Sequence, residues 1–122
     1  MKIKTSELTG AALDWAVAKA TGERRVQVDA LRKPIMLRGG VFTDARFSND
    51  WSQTGPLLEK HGIWLSDDND ESPEKWIASV GGVHLQTGPT PLIAAMRALV
   101  ASKLGHEIEV PDELAQQTQR EG

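Results

Sequence analysis

One segment near the C-terminus constrains the fold more than any other part of the chain. It reads TPLIAAMRALVASKLG over residues 90–105. Thr90 suits an N-cap, Pro91 suits the first helical position and Gly105 suits a helix end, so the pattern predicts a helix over residues 92–104. Its polar interruptions are Arg97, Ser102 and Lys103. A helix that is apolar nearly all round must be covered on several sides, so we expect it to be the central element.

The rest of the chain predicts one more long helix, a short helix and several short strands. Apolar residues recur at helical spacing over residues 8–20, and a short helix follows Thr54-Gly55-Pro56. The strand-like segments are residues 26–28, 35–37, 41–42, 63–65, 75–80 and 83–85, with a polar turn over 66–74. These elements predict an α+β fold. We expect a small, mainly antiparallel sheet packed against the N-terminal helix and the long apolar C-terminal helix.

The length of 122 residues suits one domain with its own core. We place that domain at residues 1–110 and read residues 111–122 as a polar C-terminal tail, because Pro111 and the charged and amide residues after it show no apolar pattern.

Composition excludes several classes of function. The chain has no cysteine, so disulfides, thiol nucleophiles and thiolate zinc sites are absent. No apolar run approaches the roughly 18 residues of a membrane helix, and the first ten residues lack the apolar stretch of a signal peptide. No membrane partner and no export are therefore expected.

The four residues QTGP occur twice, at residues 53–56 and 86–89, and each copy precedes a helix-like segment. The first turn of a helix has unpaired N–H groups and a partial positive charge, which suit an anion. We therefore consider one pocket in which both helix starts and Arg97 hold a phosphate. Its candidate residues are Gln53, Thr54, Gly55, Thr87, Gly88, Thr90 and Arg97. The alternative is structural: the threonines and prolines only start helices, and Arg97 pairs with a carboxylate such as Asp50.

A second candidate lies just before the first copy, in the segment RFSNDW at residues 46–51. Aromatic residues on a polar loop, among hydrogen-bonding side chains, suit a planar ligand. Trp51 would stack on a base, Asp50 would fix its orientation and Arg46 would contact a phosphate. The alternative is that Trp51 covers an edge of the core and Asp50 caps a turn. We expect the other tryptophans, at positions 15, 64 and 76, to be packing residues.

Other chemistry finds little support in the sequence. The three histidines are far apart, and the acidic turn DDNDESPE lacks the glycine and glutamate of a calcium loop, so neither a metal site nor a cofactor is predicted. No catalytic residues are predicted, because none of the common catalytic motifs occurs. Residues 24–46 contain six basic and two acidic residues. That excess suits nucleic acid, and it also suits a solvated sheet face.

Four collinear stretches resemble the NinX-like family of P22-type phages. They are MKIKTSELTGAALDWAVAKA, SNDWSQTGPLLEKHGIWL, GPTPLIAAMRALVASKLG and EIEVPDEL, which together span most of the chain. The resemblance implies a phage-encoded protein that acts in the cytoplasm of the infected bacterium. It implies no settled biochemical activity for the family.

These observations lead to one functional hypothesis and two alternatives. The hypothesis is a non-catalytic phage accessory protein that binds a small anionic, nucleotide-like ligand, as a sponge that counters antiviral signalling of the host. A homo-oligomer with the site between subunits is left open. The first alternative is a protein-interaction module that inhibits a host protein through its tryptophan-bearing surface. The second is an accessory protein that binds nucleic acid through residues 24–46.

Overall fold

The computed structural model describes residues 1–67 and 73–114. This part of the chain contains three α-helices: α1 (Gly10–Ala20), α2 (Trp51–Lys60) and α3 (Pro91–Leu104). A single turn of 3-10 helix, Thr5–Glu7, precedes α1. The strands are β1 (Lys2–Lys4), β2 (Arg24–Val28), β3 (Pro34–Arg38), β4 (Val41–Asp44), β5 (Ile63–Asp67), β6 (Trp76–Val80), β7 (Val83–Gly88) and β8 (Glu107–Glu109).

The described strands form three small antiparallel sheets. Their orders are β1-β8, β2-β3-β4 and β5-β6-β7. The predicted α+β class is confirmed, but the strands do not share one sheet as we expected. Every strand has six residues or fewer, and short strands joined by tight turns pair with their sequence neighbours rather than across the whole molecule.

Helix α3 is the centre of the core, as its apolar sequence predicts. Its residues from Ala94 to Ala101 are all buried. One side packs against the sheet β5-β6-β7, and α1, α2 and the 3-10 turn also contact the helix. Within the described residues, no helix is long and apolar enough to cross a membrane.

A tight hairpin between β6 and β7 determines which β7 side chains point away from α3. Gly81 and Gly82 form the two-residue loop with φ of 60° and 81°, a conformation that glycine adopts without strain. The register then shifts between Ala78 and Val80, and His84 opposite this shift has a φ of 58°. One extra residue in a strand of this kind is a β-bulge, and it resets the alternation of the side chains that follow.

Strand β8 pairs with β1 and so joins the two ends of the described chain. The sequence did not predict either strand, because KIK and EIE each offer a single apolar residue and too short a pattern to detect. Leu114 is fully buried within the core although it belongs to the stretch that we read as a polar tail. Most of that tail, residues 115–122, and most of the predicted polar turn, residues 68–72, lie outside the described residues.

Candidate functional site

The start of α2 is fixed by Asp50, three residues before the first QTGP segment. The Asp50 carboxylate accepts hydrogen bonds from the backbone N–H of Ser52 (2.9 Å) and from its hydroxyl (2.6 Å). These bonds, together with the charge of Arg46, lower the pKa of Asp50. Asp50 is therefore the N-cap of α2, which is the structural alternative considered from the sequence.

Arg46 and Gln53 lie beside this cap. Arg46 forms an ion pair with Asp50 at 3.4 Å from Nη2 to Oδ2. The Gln53 side chain accepts from the Arg46 backbone N–H at 2.7 Å and donates to the Asp44 carbonyl oxygen at 2.9 Å. Trp51, the first residue of the helix, is 54% exposed. The structure thus brings four of the predicted site residues together in one exposed cluster.

The first QTGP segment does not open the helix, which corrects our prediction. It lies inside α2, because Asp50 starts the helix at Trp51. Pro56 is therefore internal, and the Ser52 carbonyl that loses its N–H partner lies on an exposed residue, where water can bind it. Thr54 is fully buried, and its hydroxyl donates to the Phe47 carbonyl oxygen at 2.6 Å. That hydroxyl already has a structural partner.

The second QTGP segment has a different conformation. Gln86, Thr87 and Gly88 end strand β7, and α3 begins only after Thr90. The Thr90 hydroxyl caps α3 by accepting from the Ile93 N–H at 3.1 Å. Gly88 is buried against α3, and a Cβ at this position would lie 2.7 Å from the Ala94 backbone nitrogen. Glycine is needed here for close strand–helix packing, and the close contact leaves no space for a ligand.

Arg97 is only 3% exposed, and its guanidinium is engaged within the fold. Nε donates to the Leu8 carbonyl oxygen at 2.9 Å, and Nη1 donates to the Thr87 carbonyl oxygen at 2.8 Å. Nη1 also forms an ion pair with the Glu74 carboxylate at 2.9 Å. The expected partner, a carboxylate, is present, but it is Glu74 and not Asp50.

The predicted site residues therefore fall into two groups. One surrounds Asp50, and the other surrounds the Thr87 carbonyl and Arg97. Within the described residues, no hydrogen bond or ion pair joins the first group to the second. The first turns of α2 and α3 are also capped: the Asp50 carboxylate accepts the Ser52 N–H and the Thr90 hydroxyl accepts the Ile93 N–H, so each turn has one fewer N–H for a phosphate.

Asp14 is a buried charged residue that the sequence analysis did not select. It lies in α1, is 6% exposed, and accepts from the Ser48 backbone N–H at 2.7 Å. Burial raises the pKa of Asp14 to about 6, although the hydrogen bonds from Ser48 act in the opposite direction. The sequence indicates the burial of Asp14 only by placing a carboxylate among the apolar residues of α1, and the same pattern fits a residue that faces solvent.

The sheet β5-β6-β7 has an open side that the sequence analysis also missed. Strand pairing places Trp64 opposite Ser79, and the bulge at His84 places Leu85 on the same side, away from α3. We call this side the outer face. Its residues are Trp64, Ser66, Ile77, Ser79, Leu85 and Thr87. Trp64 is 50% exposed and Leu85 is 61% exposed. The expectation that Trp64 is a packing residue was wrong.

The described residues offer no cluster of side chains for a metal ion. No three His, Asp or Glu side chains within residues 1–67 and 73–114 are arranged to hold a metal ion. The one hydroxyl of the outer face that is fully buried, Ser79 Oγ, has no hydrogen-bond partner among these residues.

The fold and these surfaces define a small α+β protein with exposed aromatic contact residues. The chain matches the family described as "Bacteriophage P22, NinX" over residues 4–103. It belongs to this phage family, which confirms the resemblance seen in the sequence. No curated protein matches the chain.

Proposed function

We propose that this phage accessory protein acts as a non-catalytic interaction module and binds a protein of the infected bacterium through the outer face. The observation that carries the proposal is the pair Trp64 and Leu85, which are 50% and 61% exposed on one side of a sheet. Tryptophan is enriched among the residues that dominate binding energy at protein interfaces. Large side chains that could pack inward but stay exposed together are typical of interaction sites.

The arrangement of the outer face supports this proposal. Ser79 lies on the strand between those that carry Trp64 and Leu85, and it is fully buried on the side of the sheet opposite α3. Trp64 is the cross-strand neighbour of Ser79, so its indole is placed to shield this hydroxyl from water. The indole and the leucine flank Ser79 on the two neighbouring strands, and Ser66 and Thr87 lie on the same face. A partner that presents an apolar side chain would fit it.

The burial of the predicted phosphate-binding groups also favours this reading. The Arg97 guanidinium, the Thr54 hydroxyl and the Gly88 backbone are all used in packing or internal hydrogen bonds. A phosphate at these groups would have to replace bonds that hold the core together. An exposed apolar surface needs no such rearrangement.

The test is direct binding to a partner captured from the host bacterium. Tagged protein is used to capture a candidate, which is then purified and titrated against the wild type and the variants Trp64→Ala and Leu85→Ser. Loss of a central anchor is expected to weaken binding at least about 30-fold, since such an anchor contributes about 2 kcal/mol. Circular dichroism confirms that each variant keeps its fold.

The matched control is Trp51→Ala, which removes the same side chain from a site of similar exposure (54%). It is expected to leave partner binding unchanged. The proposal fails if Trp64→Ala binds the purified partner as tightly as the wild type does.

The cluster around Asp50 favours a second candidate, the binding of a nucleotide-like anion. Trp51 is half-exposed beside the Arg46–Asp50 ion pair, so an indole face, a cation and hydrogen-bonding atoms are adjacent. Such a site would let the protein act as a sponge for nucleotide signals of host defence. Mass spectrometry of small molecules released by heating the purified protein tests this. A nucleotide released by the wild type and absent from Trp51→Ala would support it, and a blank for both would reject it.

A further inference from the structure

A groove of about 340 Å³ is lined by residues that belong neither to the QTGP segments nor to the outer face. Its lining residues are Trp15, Lys19, Leu104, Glu107, Ile108 and Glu109. Two helices and strand β8 therefore border it. The Lys19 ammonium lies 5.8 Å from the centre of the Trp15 ring, so a cation already occupies part of the indole surface.

Strand β8 presents a free edge beside this groove. In the two-stranded sheet, Met1 and Val110 exchange two backbone hydrogen bonds, and the Thr5 N–H donates to the His106 carbonyl oxygen. Antiparallel pairs alternate between bonded and non-bonded positions. Glu107 and Glu109 therefore occupy non-bonded positions, and their N–H and C=O groups point away from β1. Among the described residues, no other strand pairs with this edge.

The side chains of β8 alternate between charged and apolar. Ile108 is buried, whereas Glu107 and Glu109 are exposed. On the opposite edge of β8, the chain pairs this EIE sequence with the KIK sequence of β1, with Lys4 opposite Glu107 and Lys2 opposite Glu109. The protein itself thus uses a basic–apolar–basic strand as the complement of β8.

We propose that the free edge of β8 binds an extended segment of another protein whose side chains alternate basic, apolar and basic. The main chain of the segment bonds to the outward N–H and C=O groups of Glu107 and Glu109. Its apolar side chain contacts Ile108, Trp15 and Leu104, and its basic side chains lie beside the two carboxylates. This is strand addition at a sheet edge. It is independent of the outer face and of the function proposed above.

Local charges determine which positions of the segment must be basic. Glu109 forms an ion pair with the N-terminal ammonium of Met1 at 2.9 Å, so part of its charge is already compensated. Glu107 forms no ion pair or side-chain hydrogen bond within the described part of the chain. Glu107 is therefore the stronger attractor. The Lys19 ammonium lies over the Trp15 ring and would repel a second cation there. The residue of the segment that faces Trp15 must therefore be apolar.

Fluorescence anisotropy with a labelled Lys-Ile-Lys-Ile-Lys peptide tests the proposal on the full chain. Two comparison peptides are used: Glu-Ile-Glu-Ile-Glu, and the permuted Lys-Lys-Ile-Ile-Lys with the same charge. We expect each to bind at least about tenfold more weakly than the alternating basic peptide, because one loses the charge match and the other loses the alternation. Equal binding of the permuted peptide would overturn the proposal, since attraction to net charge alone would explain it.

Two variants of the protein test whether a carboxylate in the groove contributes more to peptide binding than an exposed carboxylate elsewhere. Glu107→Gln removes one carboxylate at the proposed contact and is expected to weaken binding several-fold, by about the effect of one exposed ion pair. Glu113→Gln makes the same change at an exposed residue that does not line the groove, and it is expected to have no effect. An equal loss in both variants would overturn the proposal.

Amide hydrogen exchange measured by NMR locates the main-chain contact. The N–H groups of Glu107 and Glu109 should exchange more slowly when the peptide is bound. Those of Lys2 and Lys4, which point outward from the other edge of the same sheet, should not change. Protection at Lys2 and Lys4 instead, or protection at Glu107 that depends on protein concentration without peptide, would overturn the proposal. The latter result would identify a second copy of the chain as the occupant.

Discussion

The two QTGP segments have the same four residues and different structures. Residues 53–56 lie inside helix α2, whereas residues 86–88 end strand β7 and residue 89 leads into α3. The threonine of the first copy is buried and bonded, and that of the second is exposed. The glycine of the first copy has open space around it, and that of the second is packed against α3. Four residues did not suffice to specify a conformation.

The two regions are also anchored by opposite buried charges. The loop before the first copy is held by the Asp14 carboxylate, which accepts from the Ser48 N–H. The second copy is held by the Arg97 guanidinium, which donates to the Thr87 carbonyl. Both charged side chains satisfy buried backbone groups. The comparison shows that a buried carboxylate and a buried guanidinium can have the same structural role, which is to hold a loop or a strand end against the core. Burial raises the pKa of the Asp14 carboxyl to about 6, so the charge of this anchor depends on pH.

The largest expected effect comes from removing the anchor of the second region. Arg97→Met keeps an apolar stem but leaves the Leu8 and Thr87 carbonyls without their donor. Because unsatisfied buried acceptors are costly, we expect the free energy of unfolding to fall by about 3 kcal/mol. Urea unfolding followed by circular dichroism measures this. A loss below about 1 kcal/mol would show that water or another donor replaces the guanidinium.

Removing the charge of Asp14, the anchor of the first region, should instead raise the free energy of unfolding. The Asp14 pKa of about 6 exceeds its ordinary value of 3.8, so the folded state binds the proton more tightly than the unfolded state. Stability from this group is therefore greatest below pH 3.8 and falls as the pH rises through 6. Asp14→Asn keeps an acceptor for Ser48 without the charge. We expect it to raise the free energy of unfolding at pH 7.5 by about 2 kcal/mol.

The control for Asp14→Asn is the wild type measured over the same pH series. The difference between the two proteins should grow from pH 4 to pH 6 and then stay constant. A difference that does not depend on pH would mean that Asp14 is charged equally in the folded and unfolded states.

The two glycines allow a matched test of packing. Gly88→Ala would place its Cβ 2.7 Å from the Ala94 nitrogen, and we expect about 2 kcal/mol of destabilisation because backbone atoms must shift. Gly55→Ala meets no atom within 4 Å and lies in a helix, so it should stabilise the protein by about 0.5–1 kcal/mol. Urea unfolding curves of the two variants measure both. Equal effects at the two positions would contradict the difference between the regions.

The two threonines allow the smallest and most specific test. Thr54→Val removes the hydroxyl that bonds to the Phe47 carbonyl, and we expect a loss of about 1 kcal/mol. Thr87→Val changes an exposed side chain and keeps the carbonyl that binds Arg97, so its effect should stay within about 0.5 kcal/mol. Thermal unfolding of both variants would show the difference as a shift in Tm for Thr54→Val alone.

Much of the fold could be predicted from the sequence. The central position of α3, the cap at Thr90 and the hairpin of β5 and β6 follow from local patterns and are present in the structure. Strands β1 and β8 could not be predicted, because their pairing joins residues more than 100 positions apart and each has one apolar side chain. The start of α2 was misplaced because the sequence offers two possible N-caps four positions apart, Asp50 and Thr54.

The candidate site was less predictable than the fold. Arg46, Asp50 and Trp51 are neighbours along the chain, and the structure pairs Arg46 with Asp50. It could not show that Arg97 would be satisfied by Glu74 and two carbonyls, or that Trp64 would face outward. Those outcomes depend on which side of a sheet a distant helix covers, and local periodicity contains no such information.

The sequence by itself determined the α+β class, the family and the buried helix at the centre, because hydrophobic periodicity and helix caps act over a few residues. Tertiary structure alone decided what each polar group does. A guanidinium, a hydroxyl or an indole becomes an internal anchor or an exposed contact according to the neighbours that folding brings to it. The free edge of β8 and the outer face arose in this way, from pairings between segments far apart in the chain.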